Sequence, residues 1–319
     1  MGIADAPLAP PPMKLTTPLR IGTRGSPLAL VQANLVAGAL RAIHGLDEEA
    51  VEIVAIRTSG DRIQDRPLAE VGGKALWTKE LDRALLRGET DLSVHSMKDV
   101  ESARPDSLAL AAMLPRADVR DRLIGADDIA SLPRGARVGT SSPRRAAQLL
   151  HLRPDLVIVP IRGNVAGRLA KLAAGEADAT LLAAAGLDRL GHAEIGAAIP
   201  VEIMLPAASQ GAVGVECRAG DALVADLVGS LNHAATWACV TAERRVLMAL
   251  GGSCRSPAAV LAVLDGETIG LSGEILSEDG AERVQGCILM AVADENGPIQ
   301  LAFDLLGRAS PALRGSFAG

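Results

Sequence analysis

Arg144 and Arg145 stand side by side just after Thr140-Ser141-Ser142-Pro143, and Arg162 and Arg168 follow one strand and one turn later. A helix N-terminus carries partial positive charge and disfavours cations, so two arginines in a first turn call for an anion to offset them. A solvated basic helix end is the other reading of the same pair. Arg24 beside Ser26-Pro27, with Lys74 and Lys98 at further strand–helix junctions, puts more cations where open α/β sheets bind ligands. Such a set suits a ligand with several carboxylates or phosphates, since a guanidinium matches a carboxylate bidentately. Asp99 directly follows Lys98. By spacing alone it reads as a surface cap, but among cations it stays ionised, accepts a substrate N–H and stabilises a cationic intermediate. Cys254 lies in Gly251-Gly252-Ser253-Cys254, a glycine-rich turn that gives a thiolate access to carry a covalent group. Cys217, Cys239 and Cys287 read as small buried hydrophobes, and His95 and His233 as structural residues.

The elements that must position these residues alternate between strand and helix, an α/β pattern around mainly parallel sheets. Leu19 to Thr23 reads as a strand, Ser26-Pro27 as a helix start, and Leu28, Val31 and Leu35 recur at helical spacing. Val51 to Arg57, Asp91 to His95, Val157 to Ile161, Ala177 to Ala183 and Gln210 to Glu216 read as strands. Helices are expected at 74–87, 164–174, 221–231 and 235–250. Arg137 to Gly139, followed by Ser142-Pro143 and a helix from Arg144, restates the first strand–turn–helix unit. Two units with one cap design predict two lobes built alike, each offering helix N–H groups to a cleft. Asp265-Gly266 marks a hairpin between 259–264 and 268–272 in a small α+β region that closes with a helix near 299–307.

The 319 residues suffice for two or three domains, and 49% hydrophobic with 22% charged residues is an ordinary globular balance. Two Trp, two Phe and no Tyr exclude tyrosine chemistry and disfavour an aromatic platform for nucleic acid. A formal net charge of -6 makes any anion site local. No apolar stretch approaches the ~20 residues that span a bilayer, and the Pro-rich start reads as a flexible leader without a signal-peptide pattern. Neither a CxxC nor an HExxH spacing occurs, so no metal and free thiols are expected. The cytoplasm is the default compartment.

The segments RIGTRGSPLAL, VGGKALWTKELD, SVHSMKDV, VGTSSPRRAAQL, IRGNVAGRLAKL, AAGLDRLG, SQGAVGVECR and GGSCRSP occur in this order. Together they resemble the hydroxymethylbilane synthase (porphobilinogen deaminase) family, from about Leu19 to Pro257. The resemblance implies a transferase that joins four porphobilinogens head to tail, releasing ammonia, to give hydroxymethylbilane in heme and porphyrin biosynthesis. It implies a dipyrromethane cofactor on Cys254 through a thioether, with Asp99 at the pyrrole nitrogens as the catalytic residue. Lys98, Thr140, Ser141, Ser142, Arg144 and Arg145 would bind the cofactor. Arg24, Ser26, Lys74, Arg162, Arg168 and Arg189 would bind the substrate. The implied architecture is two lobes like those of a periplasmic binding protein plus a small α+β C-terminal domain. Lobe 1 takes residues 18–114 and 212–231, lobe 2 takes 119–207, the last domain takes 235–319, and 1–17 form the leader. The expected state is a cytoplasmic monomer that binds neither nucleic acid nor membrane. Ala75, Trp77, Glu101 and Gly251 depart from residues usual in the family. A non-catalytic two-lobed module for a polycarboxylate anion is the alternative, and it would need the arginines but neither Asp99 nor Cys254.

Overall fold

The computed structural model describes residues 16–58, 78–252 and 256–317. Two of its sheets repeat one plan. The first contains β1 (Leu19–Arg24), β2 (Val51–Ile56), β3 (Leu92–Ser96), β4 (Leu108–Met113) and β10 (Val213–Arg218), in the order β2-β1-β3-β10-β4. The second contains β5 (Asp121–Ile124), β6 (Arg137–Gly139), β7 (Val157–Val159), β8 (Ala179–Ala183) and β9 (Ala197–Ala198), in the order β7-β6-β8-β5-β9. In each sheet the second strand of that order, β1 or β6, pairs in parallel with two neighbours, and the fourth strand then runs antiparallel to both of its partners. That fourth strand, β5 or β10, is where the chain enters one sheet after leaving the other. The sheets are therefore mixed, and less parallel than the strand–helix alternation predicts, because each crossing segment supplies a strand of reversed direction.

Matched caps start matched helices. Ser26 Oγ accepts from Ala29 N at 3.4 Å ahead of α1 (Pro27–His44), and Ser142 Oγ accepts from Arg145 N at 3.5 Å ahead of the later Pro143–Leu152 helix. The apolar stripe Ala33, Val36, Ala37 and Leu40 of α1 is buried in one cluster with Ile21, Leu92 and Val94. The next helix, α2 (Lys79–Leu86), covers the later part of the expected 74–87 helix, whose first residues lie outside the described ones. Then come α3 (Pro143–Leu152), α4 (Val165–Ala173), α5 (Ala184–Arg189), α6 (Ala222–Gly229) and α7 (Ala234–Ala249).

The C-terminal region is a three-stranded antiparallel sheet of β11 (Ala258–Asp265), β12 (Thr268–Leu276) and β13 (Arg283–Ala291). Gly266, at φ 59°, allows the expected tight turn between β11 and β12. α7, α8 (Gly297–Arg308) and α9 (Pro311–Gly315) bury Val246, Leu271, Ile275, Leu301 and Leu305 against this sheet. Cys217 and Cys239 are buried free thiols as expected, whereas Cys287 is exposed. Its position on the outermost strand, on the face away from the helices, corrects the reading of it as a core residue. A smaller cluster of Met97, Val100, Met113, Ala212 and Val240 joins the first sheet to α7.

Candidate active site

After β3 the chain makes a single 3-10 turn, Met97–Asp99. Met97 and Val100 are both buried, so the chain on either side of Lys98 and Asp99 is fastened while the two charged residues remain partly accessible. Gly214 on β10 makes room for this turn, because a Cβ there would run into Met97 Sδ. Arg244 of α7 holds the turn from behind, donating Nη1 to Val100 O at 3.1 Å and Nη2 to Glu101 O.

Asp99 lines a pocket with Arg24, Ser26, Gln32, His95 and Ser96. Gln32 Nε2 donates to Ser96 Oγ at 2.8 Å. The guanidinium of Arg168 on α4 is lowered to about 10 by desolvation and by Arg145 and Arg162, with Asp99 pulling it back up. Desolvation likewise lowers the Lys98 ammonium to about 8, opposed by Asp99 and Asp121 and helped by Arg144 and Arg145. Asp99 is thus electrostatically coupled to Lys98, its neighbour in the same turn, and to Arg168 on α4.

Arg144 and Arg145 sit deeper than a surface helix end. Both are buried, and they share the carboxylate of Asp121, at 2.8 Å for Arg144 Nη2 and 2.7 Å for Arg145 Nη2. The anion required at this helix terminus is therefore supplied in part by the protein itself. Burial by itself would raise the Asp121 carboxyl, but Arg144, Arg145 and the amide of Gln210 hold it well below the usual carboxylate range. Thr140 Oγ1 accepts from Ser142 N at 3.1 Å, and Ser141 Oγ donates to Ile161 O at 3.1 Å, so these hydroxyls also fasten the cap loop. Arg189 donates to Gly211 O at 2.7 Å, which puts it on the crossing between the sheets. Lys74 and Cys254 lie outside the described residues, as do Ala75 and Trp77.

Sequence reading missed Asp121, Gln32 and Glu216. Gln32 carried a signal, as a polar residue inside the apolar stripe of α1. Glu216 carried one too, as a charge inside the apolar run of β10. It is fully buried between Arg104, at 2.8 Å from Nε, and His95, at 3.1 Å from Nε2. Arg104 also binds Asp82 at 2.6 Å and Glu101 at 3.0 Å, which braces the segment just after Asp99. Against the upward push of burial, His95 and Arg104 lower the Glu216 carboxyl to about 2. Its contribution to stability is complete above the unfolded value of ~4.3 and is lost as the pH falls towards 2. Urea unfolding across that window is expected to show a shallower pH dependence for Glu216→Gln than for the wild type.

The structure supplies cationic groups for a polycarboxylate. Arg144 Nε and Arg145 Nε are buried without a hydrogen-bond partner, and Lys98 makes no hydrogen bond or ion pair among the described residues. Among those residues no group of three or more His, Cys, Asp or Glu side chains could hold a metal.

Residues 19–226 match the family model of the porphobilinogen deaminase dipyrromethane cofactor binding domain, and residues 237–307 match that of the porphobilinogen deaminase C-terminal domain. The chain belongs to the porphobilinogen deaminase family. A porphobilinogen deaminase of Sphingopyxis alaskensis is 58% identical over 94% of this chain and 97% of that protein. One from Paracoccus denitrificans is 50% identical over 92% of this chain and 95% of that protein. A periplasmic solute binding protein from Desulfovibrio salexigens aligns with a TM-score of 0.40 and 11% identity, over 68% of this chain and 73% of that one. Membership in the porphobilinogen deaminase family favours the enzyme over the non-catalytic binding module.

Proposed function

We propose that this transferase condenses four porphobilinogens head to tail with release of ammonia, extending a dipyrromethane primer carried by Cys254 through a thioether, and hydrolyses the product off as hydroxymethylbilane. The observation that supports this best is the electrostatic coupling of Asp99 to cations of both lobes, with two buried arginines behind them. Lys98, Arg144 and Arg145 would hold the acetate and propionate groups of the primer, on the cap loop Thr140-Ser141-Ser142. When bound, dipyrromethane supplies the pyrrole carbon from which the chain grows. Asp99 would accept the pyrrole N–H of the incoming unit and stabilise the cation that develops as its amine leaves. Arg24, Ser26, Arg162 and Arg168 would bind the carboxylates of that unit or of the growing chain, and Lys74 and Arg189 complete the proposed set. The fourfold addition fits a division into lobes at 18–114 with 212–231 and at 119–207, plus a domain at 235–319. Membership of each sheet supports those boundaries. The same reading makes the enzyme a cytoplasmic monomer acting on a small molecule. A net charge of -6 and four aromatics speak against nucleic acid, and among the described residues no helix is long and apolar enough to cross a membrane.

Intact-mass measurement tests the reading. Purified protein is expected to exceed its sequence mass by two pyrrole units, and to release one ammonia per porphobilinogen consumed. Cys254→Ala is expected to lose the added mass and the turnover together. Active protein with an unmodified Cys254 would overturn the assignment.

A further inference from the structure

Asp121 opens β5 immediately after the first crossing between the sheets and is shielded from solvent. Its Oδ1 accepts from Arg145 Nη2 at 2.7 Å and from Gln210 Nε2 at 2.9 Å, while Oδ2 accepts from Arg144 Nη2 at 2.8 Å. Gln210 belongs to the second crossing and also donates to Val119 O at 2.7 Å. The remaining guanidinium groups are anchored on neutral acceptors. Arg144 Nη1 reaches Gln148 Oε1 at 2.8 Å and Leu205 O at 3.0 Å, and Arg145 Nη1 reaches Leu181 O at 2.9 Å.

The cluster is short of negative charge. Two buried guanidiniums share one carboxylate, and Lys98 and Arg168 add positive potential beside them. Glu274 of the C-terminal domain acts on Arg144 across Gln148, but its own ion pair is with Arg283. Both arginine Nε atoms and Gln210 Oε1 are buried with no hydrogen-bond partner. A buried excess of cations is unfavourable until further anion arrives.

We infer that Asp121 is the resident counter-ion of Arg144 and Arg145 and shares them with the carboxylates of the dipyrromethane primer, so that its charge and the loading of the primer are thermodynamically linked. The inference rests on the proposed function and adds a positioning residue to it. With the primer bound, the arginines have anions besides Asp121. Without it Asp121 is the carboxylate, among the described residues, that hydrogen-bonds them. Removing the Asp121 charge therefore harms the unloaded protein more than the loaded one.

Thermal melting of four proteins tests this linkage: the wild type and Asp121→Asn, each loaded or kept unloaded by Cys254→Ala. The substitution is expected to lower Tm by about 10 °C in the unloaded pair, as for an uncompensated buried charge, and by less than half of that in the loaded pair. Equal falls in both pairs would make Asp121 a purely structural residue and overturn the inference. If the unloaded double variant fails to fold, the intact mass of soluble Asp121→Asn decides. Every recovered chain should then carry the two-pyrrole increment, and Asp121→Glu, which keeps the charge, should restore a soluble unloaded fraction. Unloaded Asp121→Asn recovered in the wild-type proportion would overturn it. Failure of the functional reading itself is distinguishable, since the wild type would then lack the added mass.

Discussion

Asp99→Asn is expected to consume porphobilinogen at least about 100-fold more slowly than the wild type while keeping its fold and its two-pyrrole mass increment. The fold is expected to survive because the Met97–Asp99 turn is held by its neighbours. Met97 and Val100 are buried, and Arg244 binds the carbonyls around them. Asparagine has nearly the shape of aspartate and can still accept a hydrogen bond from a pyrrole N–H. It has no charge with which to stabilise a cation. In the wild type that charge acts on Lys98 and Arg168, which are desolvated enough to have lowered pKa values, so water screens the site poorly and each charge counts for more. The loss is expected in kcat more than in KM, because a group that serves only the developing cation contributes little to ground-state binding. Ammonia release read against substrate concentration gives the split, and the intact mass shows that loading was not the fault. Turnover near the wild-type level in a fully loaded Asp99→Asn protein would remove Asp99 from the chemistry.

The placement of Asp99 was largely readable from the chain, because each step towards it is local. A Ser-Pro cap fixes where a helix starts, and the same cap at Ser26 and Ser142 announced two equivalent strand–helix units. Apolar Leu92 and Val94 at a spacing of two before Lys98-Asp99 mark the strand that ends there. What could not be read were partners distant in sequence. Asp121 lies between two arginines at Arg120 and Arg122, and local charge balance pairs it with them. In the fold it turns inward to Arg144 and Arg145, leaving Arg120 to Asp118 and Arg122 to Asp188. The reversed direction of β5 and β10 was hidden for a related reason. A strand's own residues give its period but not the side from which the chain arrives, and here it arrives from the other sheet. Cys287 shows the same limit in the C-terminal sheet, since strand periodicity alone does not say which face the helices will cover.

The second large effect belongs to the junction of the three sheets. Glu243 on α7 is wholly buried and binds Arg116 Nη1 and Nη2 at 2.7 and 2.9 Å. It also accepts from Ser209 N at 2.6 Å and Ala262 N at 2.8 Å. Arg116 belongs to the first crossing and Ser209 to the second, while Ala262 lies on β11, so one carboxylate fastens both crossings to the C-terminal sheet. Ser209 is held at φ 65°, an unfavourable conformation for a residue with a side chain, and its N–H is one of the donors Glu243 receives. Glu243→Gln replaces an oxygen with an NH2 facing these donors and leaves the Arg116 charge without its anion. Breaking a buried pair in this way is expected to destabilise the protein by about 3–5 kcal/mol. Arg116→Met combined with Glu243→Leu removes both charges, so its loss should be well below the sum of the two single losses. Urea unfolding of the wild type, both single variants and the double variant measures this coupling, and additive losses would show that the two side chains do not act as a pair.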